Sequence, residues 1–462
     1  MSDPHTRHMS ILVARRALGA LALTLALGLM ACVSLPVLAQ TASAGQRAPS
    51  VPDIDAPELA ALGPDAAGMT TRIIAVHDRV DPLASLAAGH EVHGDRVLHL
   101  RIWYPAKPGV TSPLVTYTAS LTGEPGHPDA RFTVPGIAHA NAEPAGEHFP
   151  VVVLSHGYNN DPVMLSWLGE NLATKGYVVV APEHRDPPIW DRSKTPAALL
   201  ARPLDIVDVI KVLRGGLLGR LVDPARLGLI GYSMGGYGVL AVAGAGLDPK
   251  SPAVAALPVD LVAAYAGKGA RAGALTAAGI DSGIRAVVAI SPAGGAPWWA
   301  FGADGAGLGS VRAPLLVVAG SADRTVGYEK GPAALYAAAV HADRHLLVLV
   351  AAGHDIGTNP PPAEMHGRLW DFDWFADPVW RKDRINAIAT HMITAFLDYR
   401  LKGDATRAAY LAVPAENSDH AGWEGAADGY AAMSAGGSNP TWKGFWRGHQ
   451  DGLILRHDAA AP

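Results

Sequence analysis

The sequence predicts an α/β fold with a mostly parallel, doubly wound sheet. Short apolar runs recur along the chain, and helical spacing or Gly- and Pro-rich loops separate them. Each run has the length of a buried strand. The runs lie at 151–155, 177–181, 227–230, 285–290, 314–320 and 345–352. Strands that alternate with helices in this way pair in parallel through right-handed crossovers.

The elements around these runs are less regular. An earlier run, 97–104, alternates apolar and polar residues and predicts a strand with one solvated face. The stretch 105–150 holds many Pro, Gly and His residues and is too long for a plain connection, so we expect a loop that covers the sheet. Helices are predicted near 162–175, at 205–213 and at 385–402.

The most informative motif runs from Gly231 to Gly235, with Ser233 at its centre, directly after the run 227–230. A strand that turns sharply into a helix needs glycine on both sides of the turn, because side chains there would clash. Such a strained turn lifts the serine hydroxyl clear of the sheet. The motif therefore predicts a nucleophilic serine.

Two further polar residues follow neighbouring strands. Asp323 lies just beyond the run 314–320, and His354 lies just beyond the run 345–352. Groups at the carboxyl ends of neighbouring parallel strands converge on one crevice. The chain order Ser, Asp, His is that of the α/β-hydrolases, so we predict a catalytic triad. Asp304, after the preceding strand, is an alternative position for the acid.

The strand at 151–155 continues into His156, Gly157 and Tyr158. The corresponding loop of this fold supplies one backbone N–H to an oxyanion, and the residue after the nucleophile supplies the other. We assign these donors to Tyr158 and Met234. His156 precedes the nucleophile and lies in this loop, so we expect it to be structural rather than a catalytic base.

Composition limits the remaining classes of function. The chain has 462 residues, 49% of them hydrophobic, and a formal net charge of −5. The hydrophobic content is ample for a sizeable core, and the absence of a basic run argues against nucleic acid as a partner. The motifs expected of a metal or a phosphate-bearing cofactor are missing from the sequence, so we expect neither. Residues 67–462 are predicted to form one domain.

The first 39 residues are predicted to be a signal peptide, with Arg15 and Arg16 before the apolar stretch 17–31. The small residues before Gln40 suit signal-peptidase cleavage, which favours soluble export. Alternatively, the residues before Cys32 resemble a bacterial lipobox, which would make Cys32 a lipid anchor. Residues 40–66 are rich in Ala and Pro and are predicted to be a disordered leader. Residues 247–283 exceed one crossover and are predicted to be an inserted lid.

Three sets of residues carry a resemblance to known families. The triad loops, the His156-Gly157 loop and the strand end at 181–186 are similar to bacterial dienelactone-hydrolase-like proteins and to platelet-activating factor acetylhydrolases. The resemblance covers roughly residues 95–402 and implies the α/β-hydrolase fold. Ser233 stands where true dienelactone hydrolases have cysteine.

The chain also resembles the cutinase-like polyester hydrolases. Gly157-Tyr158, the motif around Ser233 and the segment Ala296-Pro297-Trp298 correspond to segments of that family. The resemblance implies that Tyr158 and Trp298 bind an acyl or aromatic group. Taken together, the motifs predict an exported serine carboxylic-ester hydrolase for short-acyl or small aromatic esters. An amidase or a phospholipid acetylhydrolase would use the same triad, and a non-catalytic binding protein is a further alternative.

Overall fold

A computed structural model describes residues 47–275, 283–295, 300–302, 305–413, 415–420, 442–446 and 448–462. The predicted signal peptide with Cys32, the first leader residues 40–46, Trp298 and Asp304 lie outside this part of the chain. Within the described residues, no helix is both long and apolar enough to span a membrane.

The described residues contain a sheet of 11 strands. The strands are β1 (Ala66–Val80), β2 (His93–Ala106), β3 (Leu114–Leu121), β4 (Ala130–Ala140), β5 (Phe149–Ser155), β6 (Val178–Pro182), β7 (Val222–Tyr232), β8 (Ile284–Ile290), β9 (Leu315–Gly320), β10 (Arg344–Leu349) and β11 (Leu453–Asp458). Their order is β11-β10-β9-β8-β7-β5-β6-β2-β1-β4-β3.

The centre of the sheet is parallel, as the apolar runs predict. β6, β5, β7, β8, β9 and β10 pair in parallel in that order. Their side chains are buried on both faces, and Val151, Val152 and Val153 are 0% exposed. Burial on both faces is what a continuous apolar run requires.

Helices cover both faces of the parallel strands, and this is the α/β-hydrolase fold that the sequence predicts. α3, α4 and α7 pack in one core cluster, and α2 and α9 pack in the other. The helices are α1 (Pro82–Ala88), α2 (Ser166–Thr174), α3 (Thr195–Arg214), α4 (Met234–Val242), α5 (Pro252–Ala255), α6 (Val259–Tyr265), α7 (Pro332–Ala338), α8 (Leu369–Asp373), α9 (Lys382–Leu397) and α10 (Ala408–Leu411).

The stretch 105–150 is not the loop that its composition predicts. β3 and β4 lie within it and pair antiparallel at the end of the sheet. The buried carboxylate of Glu170, on α2, accepts hydrogen bonds from the N–H groups of Ile137 and Ala138 at 3.0 and 2.9 Å. It also accepts one from the hydroxyl of Tyr117 at 2.7 Å. The strands therefore depend on a residue distant in sequence.

Residues 47–65 also differ from the expected disordered leader. Leu59 is 9% exposed, and its N–H donates to Nδ1 of His391 at 3.0 Å. Ala60 is 1% exposed, and its carbonyl accepts from Asn171 at 2.9 Å. Apolar contacts and hydrogen bonds with α2 and α9 thus order a stretch whose composition alone predicts disorder.

Candidate active site

Ser233 lies between the end of β7 and the start of α4, with φ 55° and ψ −116°. A positive φ is strained for a residue with a side chain, and strain of this kind clusters at active sites. The flanking glycines permit the turn. A Cβ atom on Gly231 would lie 2.1 Å from the carbonyl oxygen of Gly235, and one on Gly235 would lie 2.0 Å from that of Ser155. The structure therefore has the sharp turn that the motif predicts.

The structure brings the three predicted triad residues together. Nε2 of His354 lies 3.0 Å from Oγ of Ser233, and Nδ1 of His354 lies 2.8 Å from Oδ2 of Asp323. The other carboxylate oxygen of Asp323 accepts from the N–H groups of Thr325 and Val326 at 2.9 and 3.1 Å. The side chain of Asp323 is therefore fixed by the turn after β9. We call Ser233, His354 and Asp323 the cavity triad.

Charges around His354 adjust its basicity. Burial lowers the pKa of the imidazole, but the hydrogen bond and the charge of Asp323 outweigh burial and leave that pKa above its ordinary value. Asp355 adds negative charge and Lys382 opposes it. The carboxylate of Asp355 accepts from the hydroxyl of Tyr232 at 2.9 Å. Asp323 is the carboxylate bonded to His354. A carboxylate in this position stabilises a histidine base that becomes positively charged during a reaction.

Ser233 and His354 open on a cavity of about 310 Å³. Aromatic and aliphatic side chains form much of its wall, and Asp355 and Asp373 contribute carboxylates. The other lining residues are Gly157, Tyr158, Asn160, Ile189, Tyr232, Thr325, Trp370 and Trp374. Cavities of this size and composition are typical of small-molecule sites.

Trp370 and Trp374 are lining residues that the motifs did not identify. They lie in and just after α8, with ring centroids 6.4 Å apart in an edge-to-face arrangement. A tryptophan pair four residues apart lies on one face of a helix, so the spacing was a signal for a shared surface. The described residues of the predicted lid, 247–275, are absent from the cavity wall. They pack in the core cluster with α3 and α4.

The predicted oxyanion donors lie at the same end of the sheet. Met234 is the first residue of α4, where a backbone N–H has no partner within the helix. Tyr158 lines the cavity with Ser233. Trp298, the predicted substrate contact, lies outside the described residues.

Comparisons with known proteins match parts of this chain. Residues 135–266 match the PETase family, described as PET hydrolase-like. Lipase 1 of Moraxella sp. (strain TA144) is 36% identical over 87 residues, which are 19% of this chain and 25% of the lipase. Cutinase est2 of Thermobifida alba is 31% identical over 105 residues, which are 22% of this chain and 33% of the cutinase. The chain thus spans a quarter to a third of the length of these relatives.

Among solved structures, a ferulic acid esterase from Streptomyces cinnamoneus aligns with a TM-score of 0.48 and 22% sequence identity. The alignment covers 75% of this chain and 94% of that structure. The sequence matches are to proteins named as a lipase and as cutinases.

Proposed function

We propose that this protein is an exported serine hydrolase that cleaves short-acyl or small aromatic carboxylic esters through an acyl-enzyme. The observation that carries the proposal is the cavity triad. Its two hydrogen bonds of 3.0 and 2.8 Å join a strained serine, a histidine and a buried carboxylate at the wall of a cavity. The matches to lipases and cutinases support an ester as the substrate.

We propose a role for each triad residue. Because Asp323 accepts the proton on Nδ1 of His354, the lone pair of Nε2 faces the hydroxyl of Ser233. Oγ attacks the acyl carbon while Nε2 takes the hydroxyl proton. The protonated His354 then gives that proton to the leaving alcohol. Water attacks the acyl-enzyme by the same route and frees the acid.

Negative charge that develops on the carbonyl oxygen needs donors fixed in advance. We assign these donors to the N–H groups of Tyr158 and Met234, as the motifs predict. Each such donor contributes about 3 to 4 kcal/mol at the transition state. The position of Met234 at the start of α4 supports the assignment, because the helix dipole adds positive potential there.

The composition of the cavity wall favours substrates with small or flat acyl groups. Tyr158, Trp370 and Trp374 present aromatic rings to a volume of about 310 Å³. Rings of this kind bind aromatic groups edge to face or in offset stacks. Asp355 and Asp373 lie on the same wall and disfavour an anionic substrate.

A screen of p-nitrophenyl esters from acetyl to hexadecanoyl, with benzoyl and an anilide included, tests the proposal. Each added methylene that fits should stabilise the transition state by up to about 0.8 kcal/mol, which raises kcat/KM up to about fourfold. We expect kcat/KM to fall once the cavity is full. The benzoyl ester should be a good substrate. A steady rise to the hexadecanoyl ester would indicate a lipase, and preference for the anilide would indicate an amidase. Ser233→Ala is the negative control, because it measures hydrolysis that does not depend on the proposed nucleophile.

Export rests on the sequence of residues 1–39 and is tested separately. When the full chain is expressed in a bacterium, mass spectrometry of the mature amino terminus identifies the cleavage site. We expect a soluble chain that begins at Gln40. A lipid-modified Cys32 in the membrane fraction would instead establish a lipoprotein, and an uncleaved cytoplasmic chain would contradict export.

A further inference from the structure

The loop 156–159, which carries the proposed donor Tyr158, lies on a set of buried polar side chains. Arg202, on α3, is 0% exposed. One of its nitrogens donates to the carbonyl of His156 at 2.5 Å, and another donates to the carbonyl of Gly157 at 2.8 Å. A guanidinium presents several donors in a rigid plane, so one side chain fixes two successive carbonyl groups.

The carbonyl of Gly157 has a second side-chain donor, the imidazole of His156. Nε2 of His156 accepts the N–H of His184 at 3.0 Å, so the proton of the neutral ring lies on Nδ1. Nδ1 lies 2.8 Å from the carbonyl oxygen of Gly157. Burial and the charge of Arg202 keep the pKa of His156 well below its ordinary value, so the ring stays neutral. The carbonyl of Gly157 is therefore directed into the protein.

Acidic residues fix these donors in turn. Oδ1 of Asp186 accepts from Nε of Arg202 at 3.0 Å, and Oδ2 of Asp186 accepts from the N–H of Asn159 at 2.9 Å. Oδ2 of Asp205 lies 2.9 Å from Nδ1 of His184, whose Nε2 lies 2.9 Å from Oγ of Ser155. We call Ser155, His184 and Asp205 the buried triad. Its members are 0%, 5% and 0% exposed.

A trans peptide is planar, so its N–H points opposite to its C=O. The Gly157 carbonyl and the Tyr158 N–H belong to the same peptide unit. We propose that Arg202 and His156 fix the orientation of this peptide unit, so that the N–H of Tyr158 faces the cavity and the oxyanion hole is formed before substrate binds. Arg202 and His156 are then positioning residues, and the buried triad orients His156. This inference rests on the proposed function.

Rotation of the peptide unit would turn the Gly157 carbonyl toward the cavity. It would also remove the Gly157 carbonyl as an acceptor for one N–H of the Arg202 guanidinium and for the His156 N–H in a buried region, which is unfavourable. In Arg202→Gln one of these constraints is removed. We expect kcat to fall by about 10²- to 10³-fold, the loss typical of one oxyanion donor, with KM changed by less than about threefold. Affinity for an alkyl boronic acid, which forms an anionic adduct with the serine, should fall with kcat.

Arg202→Lys is the second variant, because it retains a positive charge beside Asp186 and so preserves folding. A single ammonium cannot replace the planar fork, so we expect at least about a tenfold loss of kcat with KM unchanged. Glu170→Gln is the matched control for lost stability, since Glu170 is buried at 1% exposure and bonds to Tyr117 and β4 instead of this loop. Its kcat per folded molecule should equal that of the native chain.

A crystal structure of each Arg202 variant separates this inference from the proposed function. A rotated or disordered Gly157–Tyr158 peptide supports the inference, even if the native chain hydrolyses no ester and the proposed function fails. An unchanged peptide together with an unchanged kcat overturns it, while hydrolysis by the native chain leaves the proposed function intact. A loss of kcat equal to that of Glu170→Gln also overturns it, because lost stability would then explain the effect.

Discussion

The cavity triad and the buried triad have nearly the same hydrogen-bond geometry. In the first, the serine-to-histidine and histidine-to-aspartate distances are 3.0 and 2.8 Å. In the second, both are 2.9 Å. Both serines end a strand of the parallel sheet or follow one directly, yet we propose only Ser233 as a nucleophile. The hydrogen bonds of a triad therefore do not identify a nucleophile by themselves.

Access and backbone conformation are the first difference. Ser233 and His354 line a cavity, whereas Ser155 is 0% exposed and His184 is 5% exposed. Ser233 has a φ of 55°, whereas Ser155 is the last residue of β5. A substrate can reach only the serine that the strained turn lifts away from the sheet.

Charge is the second difference. Arg79 and Arg96 both bond to Asp205, at 2.6 Å each. Their charges and the His184 hydrogen bond keep the pKa of Asp205 well below its usual value, although burial acts to raise it. Burial and Arg202 lower the pKa of His184 to about 4, whereas the pKa of His354 is raised. His354 can therefore become an imidazolium during a reaction, and His184 stays neutral.

Removing each serine in turn gives the largest expected contrast. Ser233→Ala should lower kcat by about 10⁶-fold with folding intact, because a triad acts as a unit. Ser155→Ala should leave kcat within about tenfold of native, since Arg202 still fixes the Gly157 carbonyl. It should lower the free energy of unfolding by about 1 to 3 kcal/mol, because Nε2 of His184 loses its donor. Steady-state kinetics and denaturant unfolding measure both. Equal losses of kcat in Ser233→Ala and Ser155→Ala would contradict the assignment of different roles to the two triads.

The two aspartates should separate activity from stability. Asp323→Asn should lower kcat by about 10⁴-fold and leave the fold unchanged. Asp205→Asn should lower the free energy of unfolding by about 3 to 5 kcal/mol, because it removes the buried negative charge that Arg79 and Arg96 face. A mild effect of Asp323→Asn would transfer the acid role to another carboxylate, with Asp304 or Asp355 as the candidates to mutate next.

The pH dependence of kcat/KM, measured for the native chain and for Asp323→Asn, tests the role of Asp323 further. His354 must be neutral to accept the serine proton, so kcat/KM should fall as pH falls through an apparent pKa above 6.5. Because the charge of Asp323 raises that pKa, its removal should shift the acid limb of Asp323→Asn to lower pH. A flat profile between about pH 5 and 9 in a chemistry-limited assay would contradict a histidine base.

The cavity wall provides the smallest expected effect. Trp374→Ala removes an aromatic ring from the wall of the cavity that Ser233 and His354 line. We expect kcat/KM for the benzoyl ester to fall by about tenfold relative to kcat/KM for the acetyl ester. Trp446→Ala is the matched control, because Trp446 is 41% exposed and does not line this cavity. An equal effect of the two substitutions would remove Trp374 from the substrate site.

The sequence predicted the parallel centre of the sheet and the positions of Ser233, Asp323 and His354. Both predictions depend on local signals, because an apolar run marks a buried strand and its carboxyl end marks the crevice. The expectation that His156 is structural also agrees with its burial at 0% exposure. These features need no knowledge of which distant residues meet.

The features that the sequence did not predict depend on distant contacts. β3 and β4 are stabilised by Glu170 of α2, and residues 47–65 pack on α9, so local composition misled in both places. In the buried triad, Ser155 ends β5, His184 follows β6 and Asp205 lies on α3. Only the folded chain brings these three elements together. The described residues of the predicted lid, 247–275, pack in the core with α3 and do not line the cavity.

Labelling with a fluorophosphonate probe, followed by peptide mapping, tests the central claim most directly, because only an activated serine reacts with the probe. We expect one adduct per molecule, on Ser233, and its loss in His354→Ala. Ser155 should stay unmodified in the folded protein. An adduct on Ser155 or another serine, or no adduct on folded native protein, would contradict the assignment of the cavity triad.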